Sequence, residues 1–354
     1  MVIVLRNADD VLGWAGLLVD PALQAAVGRL PEPSREIAEL QLGWSDGPRR
    51  NGAHERSALT LVSADAVGGD PHDAVPSAVV IELLYHWAAI RRDLYDGDLS
   101  RRNRPTAWSV FGAQRAALGA EALLALAFDV AGTGSPARAA PGPFRQPTRD
   151  RTIPAGSTAT VRILGDTVQQ LLHGQHTALT LGGGPTAGSD LLRDCLSSAE
   201  QRAGAVFGCA CALGALTGGG SLAQVDQLRL FGVRLGLAVQ FTEDLTGIWG
   251  DPAETGRPPY ADLRRRRRSL PVAAALAAGA AEVADLLASK GRLTDTDLER
   301  AAKAIEQSGA RAWCRQQADD LLAQALLALD LATPSASAVA ELVALARRAT
   351  RHAT

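Results

Sequence analysis

Apolar residues recur at helical spacing along nearly the whole chain, and the alternation that marks strands is scarce. Residues 76–96 constrain the fold most. This run is apolar on most faces, so a helix through it must be surrounded by other helices. Around it, residues 21–42 read as an amphipathic helix interrupted at "PEPS", and 57–67 as a second helix. Residues 107–131, "AWSVFGAQRAALGAEALLALAFDVA", read as another. The stretch 132–157 is rich in Pro, Gly, Ser and Arg and is predicted to be a long flexible loop. Helices resume at 158–179, at 189–216 after "GGGPTAGSD", and at 222–249, a long helix ending in "WGDP". Residues 250–270 form a polar, Pro- and Arg-rich connection. Further helices follow, one with a capped start near Thr294. The expectation is an all-α, single-domain helical bundle spanning 1–354.

The chain has 354 residues, of which 47% are apolar, enough for a sizeable core. Its net charge of −2 offers no basic field to recruit nucleic acid. The five arginines 264–268 have no interleaved aromatics and read as a solvated loop, so no nucleic acid is expected as a partner. Cys195, Cys209, Cys211 and Cys314 show neither zinc spacing nor a disulfide framework, and a reducing cytosol is the expected setting. Residues 1–20 carry no basic segment followed by an apolar run. The longest apolar stretches read as interrupted by charges before the roughly 18 residues of a membrane span, so none is expected.

Two acidic helix ends carry the chemistry. One holds Asp93, Asp96 and Asp98; the other, "QFTEDLTGIWGD", holds Glu243, Asp244 and Asp251. Carboxylates three or four residues apart share a helix face. Such pairs, facing one another across a bundle, can share Mg²⁺, which prefers few carboxylates, several waters and phosphate oxygens. Basic residues follow each cluster: Arg101 and Arg102 after the first, Arg257 and Arg264–Arg268 after the second. Carboxylate, metal, diphosphate and arginine together suit a departing diphosphate. Solvated helix ends with ordinary ion pairs are the plainer reading of either cluster alone. His173 and His176 could bind a metal, but no third ligand joins them, so they read as an ordinary helix-face pair.

Several blocks in order resemble the trans-isoprenyl diphosphate synthase (polyprenyl synthetase) family, from about residue 40 to 275. They are "RSALTLVSADAVGG" (56–69), "IELLYHWAAIRRDLYDGDLSRRNRPT" (81–106), "FGAQRAALGAEALLALAF" (111–128), "LHGQ" (172–175), "GLAVQFTEDLTGIWGD" (236–251) and "GRPPYADLRRRRRSLP" (256–271). The departures from the family pattern are specific. Its first DDxxD becomes Arg92-Asp93-Leu94-Tyr95-Asp96, and its second becomes Glu243-Asp244-Leu245-Thr246-Gly247. Its GGKxxR loop becomes Asn51-Gly52-Ala53-His54-Glu55-Arg56, keeping the arginine and losing the lysine. The homoallylic-site His or Gln falls at Tyr85, and the Lys-Thr pair falls on Arg202-Ala203. "EDLTGIWGD" also approaches the class I terpene cyclase motif (N/D)Dxx(S/T/G)xxx(E/D).

The resemblance implies an isoprenoid-synthase-type bundle with a central active-site cavity. It implies ionisation of an allylic prenyl diphosphate and transfer of the prenyl group to isopentenyl diphosphate or another acceptor. Asp93, Asp96, Glu243 and Asp244 would be the catalytic, Mg²⁺-binding carboxylates. Arg56, Arg92, Arg101, Arg102, Arg202, Arg257 and Arg267 would meet substrate, with Gln175 and Gln240 as polar lining. Five positions before Arg92, Trp87 would form the pocket floor. One helical turn, about 5.4 Å, matches about one isoprene unit, so a floor there implies substrates or products of about ten to fifteen carbons. The expected assembly is a homodimer, or a heteromer with a homologue, in the cytoplasm. Two alternatives remain open: a class I terpene cyclase, or a non-catalytic partner subunit.

Overall fold

The computed structural model describes residues 6–44, 54–101, 104–133, 155–183, 189–255, 258–289 and 291–351. Most of the predicted loop 132–157, together with Arg102, Arg257 and 45–53, lies outside the described residues. In chain order the first helices are α1 (Ala8–Val27), α2 (Glu32–Leu42), α3 (Glu55–Ala66), α4 (Val75–Asp96), α5 (Ala107–Phe111) and α6 (Ala113–Thr133). Then come α7 (Ala155–Gly183), α8 (Ser189–Ala199), α9 (Ala205–Thr217) and α10 (Leu222–Trp249). Two short helices, α11 (Pro252–Thr255) and α12 (Ala261–Arg264), precede α13 (Leu270–Ala277), α14 (Ala281–Ala288), α15 (Asp295–Gln307), α16 (Ala310–Leu331) and α17 (Ala336–Ala349). The fold is all-α; its only described sheet is a ribbon of β1 (Ser100–Arg101) and β2 (Arg104–Pro105), antiparallel with Ser100 opposite Pro105.

Several boundaries differ from expectation. The helix expected over 21–42 is interrupted next to "PEPS" as expected, giving α1 and α2, but α1 begins earlier, at Ala8. Asn7 starts α1 by accepting the Asp10 N–H while Asp10 accepts the Asn7 N–H, and the helix then runs through Pro21. The helix expected over 107–131 breaks at Gly112, whose φ of 81° lies outside the helical region. The segment 189–216 is α8 and α9 joined by a π-helical turn, Glu200–Gly204.

The chain divides into two compact units. The first comprises Met1–Val168, Val206–Gly232 and Leu327–Leu345. The second comprises Gln169–Ala205, Val233–Leu326 and Ala346–Thr354. In the first unit α4 is central and packs mainly on α6 and α3. Ile81, Leu83, Leu84 and Ile90 of α4 are buried, as is Glu82, whose Oε1 accepts the Ser57 hydroxyl of α3 at 2.5 Å. Helices approach through small residues: a Cβ on Gly214 of α9 would lie 2.0 Å from the Thr60 carbonyl of α3. In the second unit Leu237, Phe241 and Leu245 of α10 pack with Leu191, Cys195, Leu270 and Cys314. A further cluster joins Ile248, Leu263, Val283, Leu298 and Ile305.

Charges interrupt two long apolar helices as expected, Glu82 in one and Glu121 and Asp129 in the other, but do not lower their mean hydropathy below that of a membrane span. Two helical segments, Pro71–Asp96 and Ala113–Thr133, reach the length and hydropathy of a membrane span. In the first, 72% of the apolar window is buried inside the protein, and 44% in the second. A core helix passes the same test, and the central position of α4 accounts for its hydropathy.

Candidate active site

The first acidic segment ends α4. Gly97 stops the helix in the left-handed region (φ 68°), and the Asp98 N–H donates to the Asp93 carbonyl at 2.9 Å. The Asp98 carbonyl then accepts the Thr106 hydroxyl and the Trp108 indole N–H, each at 2.7 Å, which fixes the ribbon. This fold-back returns Arg101 to α4. Its Nε donates to Asp93 Oδ1 at 2.6 Å, its Nη2 contacts the same oxygen, and Asp98 Oδ2 lies 3.8 Å away. Asp93 is buried, and burial pushes its carboxyl above the usual range against the hydrogen bond and charge of Arg101. Arg92 is half-buried beside it, and Asp96 is exposed. Of this segment's two predicted metal ligands, Asp93 is engaged by Arg101 and Asp96 faces solvent.

Arg56 lies in the first turn of α3 and is 6% exposed. Its guanidinium sits 3.4 Å over the Tyr85 ring centroid, with Phe207 at 6.0 Å. Trp87 is buried on α4, with the Arg91 guanidinium 5.5 Å from its ring and no acceptor for its indole N–H among the described residues.

The second acidic segment repeats the division on α10. Glu243 is exposed and Asp244 is buried. Gln240 donates to Asp244 Oδ1 at 2.7 Å, and the Leu270 N–H at the start of α13 donates to Oδ2 at 2.8 Å. Burial pushes the Asp244 carboxyl up to about 6, opposed by Arg267 and reinforced by Asp262. Arg267 Nη1 lies 3.8 Å from Asp262 Oδ1. Sequence reasoning missed Asp262. Its signal was a lone acid beside five arginines, and it is buried. A Cβ on Gly247 would lie 2.5 Å from Asp262 Oδ2, so Asp262 occupies the space a side chain at 247 would need.

Arg202 lies in the π turn and donates from Nε to the Ser198 carbonyl at 3.3 Å. It packs on Gly174, where a Cβ would be 2.9 Å from Arg202 Cγ, one residue before half-buried Gln175. A π turn often marks a functional position on a helix. His173 and His176 are exposed, and no group of three His, Cys, Asp or Glu that could hold a metal occurs among the described residues. In the arginine run, Arg264 pairs with Asp295 at 2.6 Å and Arg266 donates to the Gly291 carbonyl at 2.5 Å.

The model of the family described as "Polyprenyl synthetase" matches residues 47–307. The chain is 35% identical over 324 residues to a (2E,6E)-farnesyl diphosphate synthase of Mycobacterium tuberculosis, covering 88% of this chain and 84% of that one. It is 35% identical over 335 residues to a geranylgeranyl diphosphate synthase of the same organism, covering 92% and 89%. Its fold is similar to that of a polyprenyl synthetase from Streptomyces coelicolor, with TM-score 0.85, 31% identity and coverage of 97% and 99%. The chain belongs to the polyprenyl synthetase family.

Proposed function

We propose that this prenyltransferase ionises an allylic prenyl diphosphate of about ten to fifteen carbons and joins the prenyl group to isopentenyl diphosphate. The observation that carries this reading is the same pairing in both acidic segments. Each sets a buried carboxylate, restrained by named donors, beside an exposed one: Asp93 beside Asp96, and Asp244 beside Glu243. One free carboxylate per segment suits Mg²⁺ that keeps waters and phosphate oxygens, and does not suit a closed protein cage. Asp96 and Glu243 would each be a ligand for Mg²⁺ in its own segment. When bound, Mg²⁺ would neutralise charge on the departing diphosphate.

The chain's own residues do the rest. Arg101, fixed by Asp93, and Arg267, near Asp262, present guanidiniums to phosphate oxygens. Arg92, Arg102, Arg202 and Arg257 add positive charge to the same task. Arg56 offers a buried cation to the second diphosphate. Gln240 holds Asp244 in place, Gln175 supplies polar lining, and Trp87 limits the depth available to the prenyl tail.

The cyclase alternative would use Asp251 as a ligand, but Asp251 Oδ1 accepts the Ala253 N–H at 2.8 Å and caps α11, which leaves that reading less support. Residues 1–354 are proposed as a single domain, in a cytoplasmic homodimer or a heteromer with a homologue. The test is diphosphate release from an allylic substrate. Asp96→Asn and Glu243→Gln should each slow it by about a hundredfold or more. Parent-like turnover in both variants would sink the metal reading.

A further inference from the structure

Arg91 lies one helical turn after Trp87 on α4, and Tyr95 one turn after Arg91, so the three share the side of α4 that meets α6. The Arg91 guanidinium is held from both helices. Its Nη1 donates to Glu121 Oε1 of α6 at 2.7 Å, and its Nη2 donates to the Tyr95 hydroxyl at 2.5 Å. So held, its carbon lies 5.5 Å from the Trp87 ring centroid and 5.3 Å from that of Tyr95. Trp87 has no hydrogen bond of its own to fix the ring, since its buried indole N–H lacks an acceptor among the described residues. The directed contact on that ring is the Arg91 cation. The same contacts occupy the Arg91 fork with Glu121 and Tyr95, which sets it apart from the arginines that face diphosphate. The Arg91 and Glu121 side chains are 26% and 52% exposed, so solvent screens their pair and it adds little to stability. What the clamp controls is where the Trp87 ring sits.

We infer that Arg91, anchored by Glu121, is a positioning residue for Trp87: it holds the indole ring across the prenyl pocket and so keeps the prenyl chain to one length. This rests on the reading of Trp87 as the pocket floor of a prenyltransferase. Arg91 acts through Trp87, so its effect on chain length should vanish once Trp87 is gone. Its anchor lies on another helix, so removing Glu121 should loosen the floor with α4 itself unaltered.

The experiment has two arms, both on the full chain. In the first, products formed from isopentenyl diphosphate and geranyl diphosphate are separated by length. Arg91→Met keeps the aliphatic stem and loses the cation, and should raise the ratio of the next longer product to the parent's main product at least about fivefold. Glu121→Ala should raise it at least about twofold. Arg91→Lys keeps a cation beside the ring and should raise it by less than about twofold. In the Trp87→Ala background, Arg91→Met should change the ratio by less than about twofold. In the second arm, indole N–H resonances of isotope-labelled tryptophan are recorded by NMR, with the Trp87 resonance assigned by its loss in Trp87→Phe. Arg91→Met should shift or broaden that resonance and leave those of Trp14 and Trp313 in place. Thermal melts check folding, and Arg91→Gln carries the same expectations should Arg91→Met fail to fold. An unchanged product ratio in a folded Arg91→Met variant, an equal rise with and without Trp87, or an unmoved Trp87 resonance would overturn the assignment. A parent that makes no prenyl diphosphate would instead sink the prenyltransferase reading, and the resonance arm alone would then decide whether Arg91 holds Trp87.

Discussion

Gly247 stands four residues after Glu243, where the family's second motif carries its last aspartate, and Asp262 fills the space beside it. The sequence displayed the missing aspartate but not the residue that took its place, because Asp262 is fifteen positions away and reaches α10 only through the fold. Gly247→Ala should therefore destabilise the protein by about 1–3 kcal/mol, as overpacking against a buried group does. A melting temperature equal to the parent's would show that the loop yields. Arg92, the other departure, was equally plain in sequence, whereas the engagement of Asp93 by Arg101 was not, since it depends on the ribbon. Asp244 adds a pH effect. Its folded-state carboxyl titrates near 6, against 3.8 in the unfolded chain. The folded state thus holds the proton more tightly. This group favours folding below about pH 4, and that contribution is lost as pH rises to about 6. The loss is up to ~3 kcal/mol at about 1.4 kcal/mol per pH unit. Asp244→Asn should remove this decline from the stability profile between pH 4 and 6.5, measured by denaturant unfolding. A decline of unchanged steepness would assign it to another group.

Helical periodicity located α3, α4 and α10 to within a few residues, because each buries apolar side chains over several turns. It failed where local chemistry overrode the pattern. Pro21 resembles a helix-start signal, yet the Asn7–Asp10 cap starts α1 earlier and the chain stays helical through the proline. Gly112 breaks an otherwise helical run by a single positive φ, and the π turn at Glu200–Gly204 has no signature in spacing. The two-residue strands of the ribbon are too short to alternate. Trp87 belongs to this scale, since its proposed role as pocket floor depends on its turn of α4. Trp87→Ala should lengthen the accepted or produced prenyl chain by at least one isoprene unit, at a cost of ~3–5 kcal/mol if the site does not collapse. Mass spectrometry of products from a variant shown to be folded decides it, and an unchanged chain length would place the floor elsewhere.

For the whole molecule, the fold class was legible because an all-helical period leaves few architectures for a chain of this size. The division into two compact units was not, because α7 and α10 run continuously through both and no linker composition marks a boundary. Chemistry was legible as two acidic segments followed by arginines. Which carboxylates stay available was settled only by burial, which leaves Asp96 and Glu243 exposed. The central claim is that these residues serve prenyl transfer to isopentenyl diphosphate. Its most direct test is incubation of the purified chain with Mg²⁺, radiolabelled isopentenyl diphosphate and allylic diphosphates of five, ten and fifteen carbons, followed by separation of the products by chain length. The account predicts label in a prenyl diphosphate one isoprene unit longer than the allylic substrate. Diphosphate release with no label in any product, or a cyclised hydrocarbon formed without isopentenyl diphosphate, would contradict it.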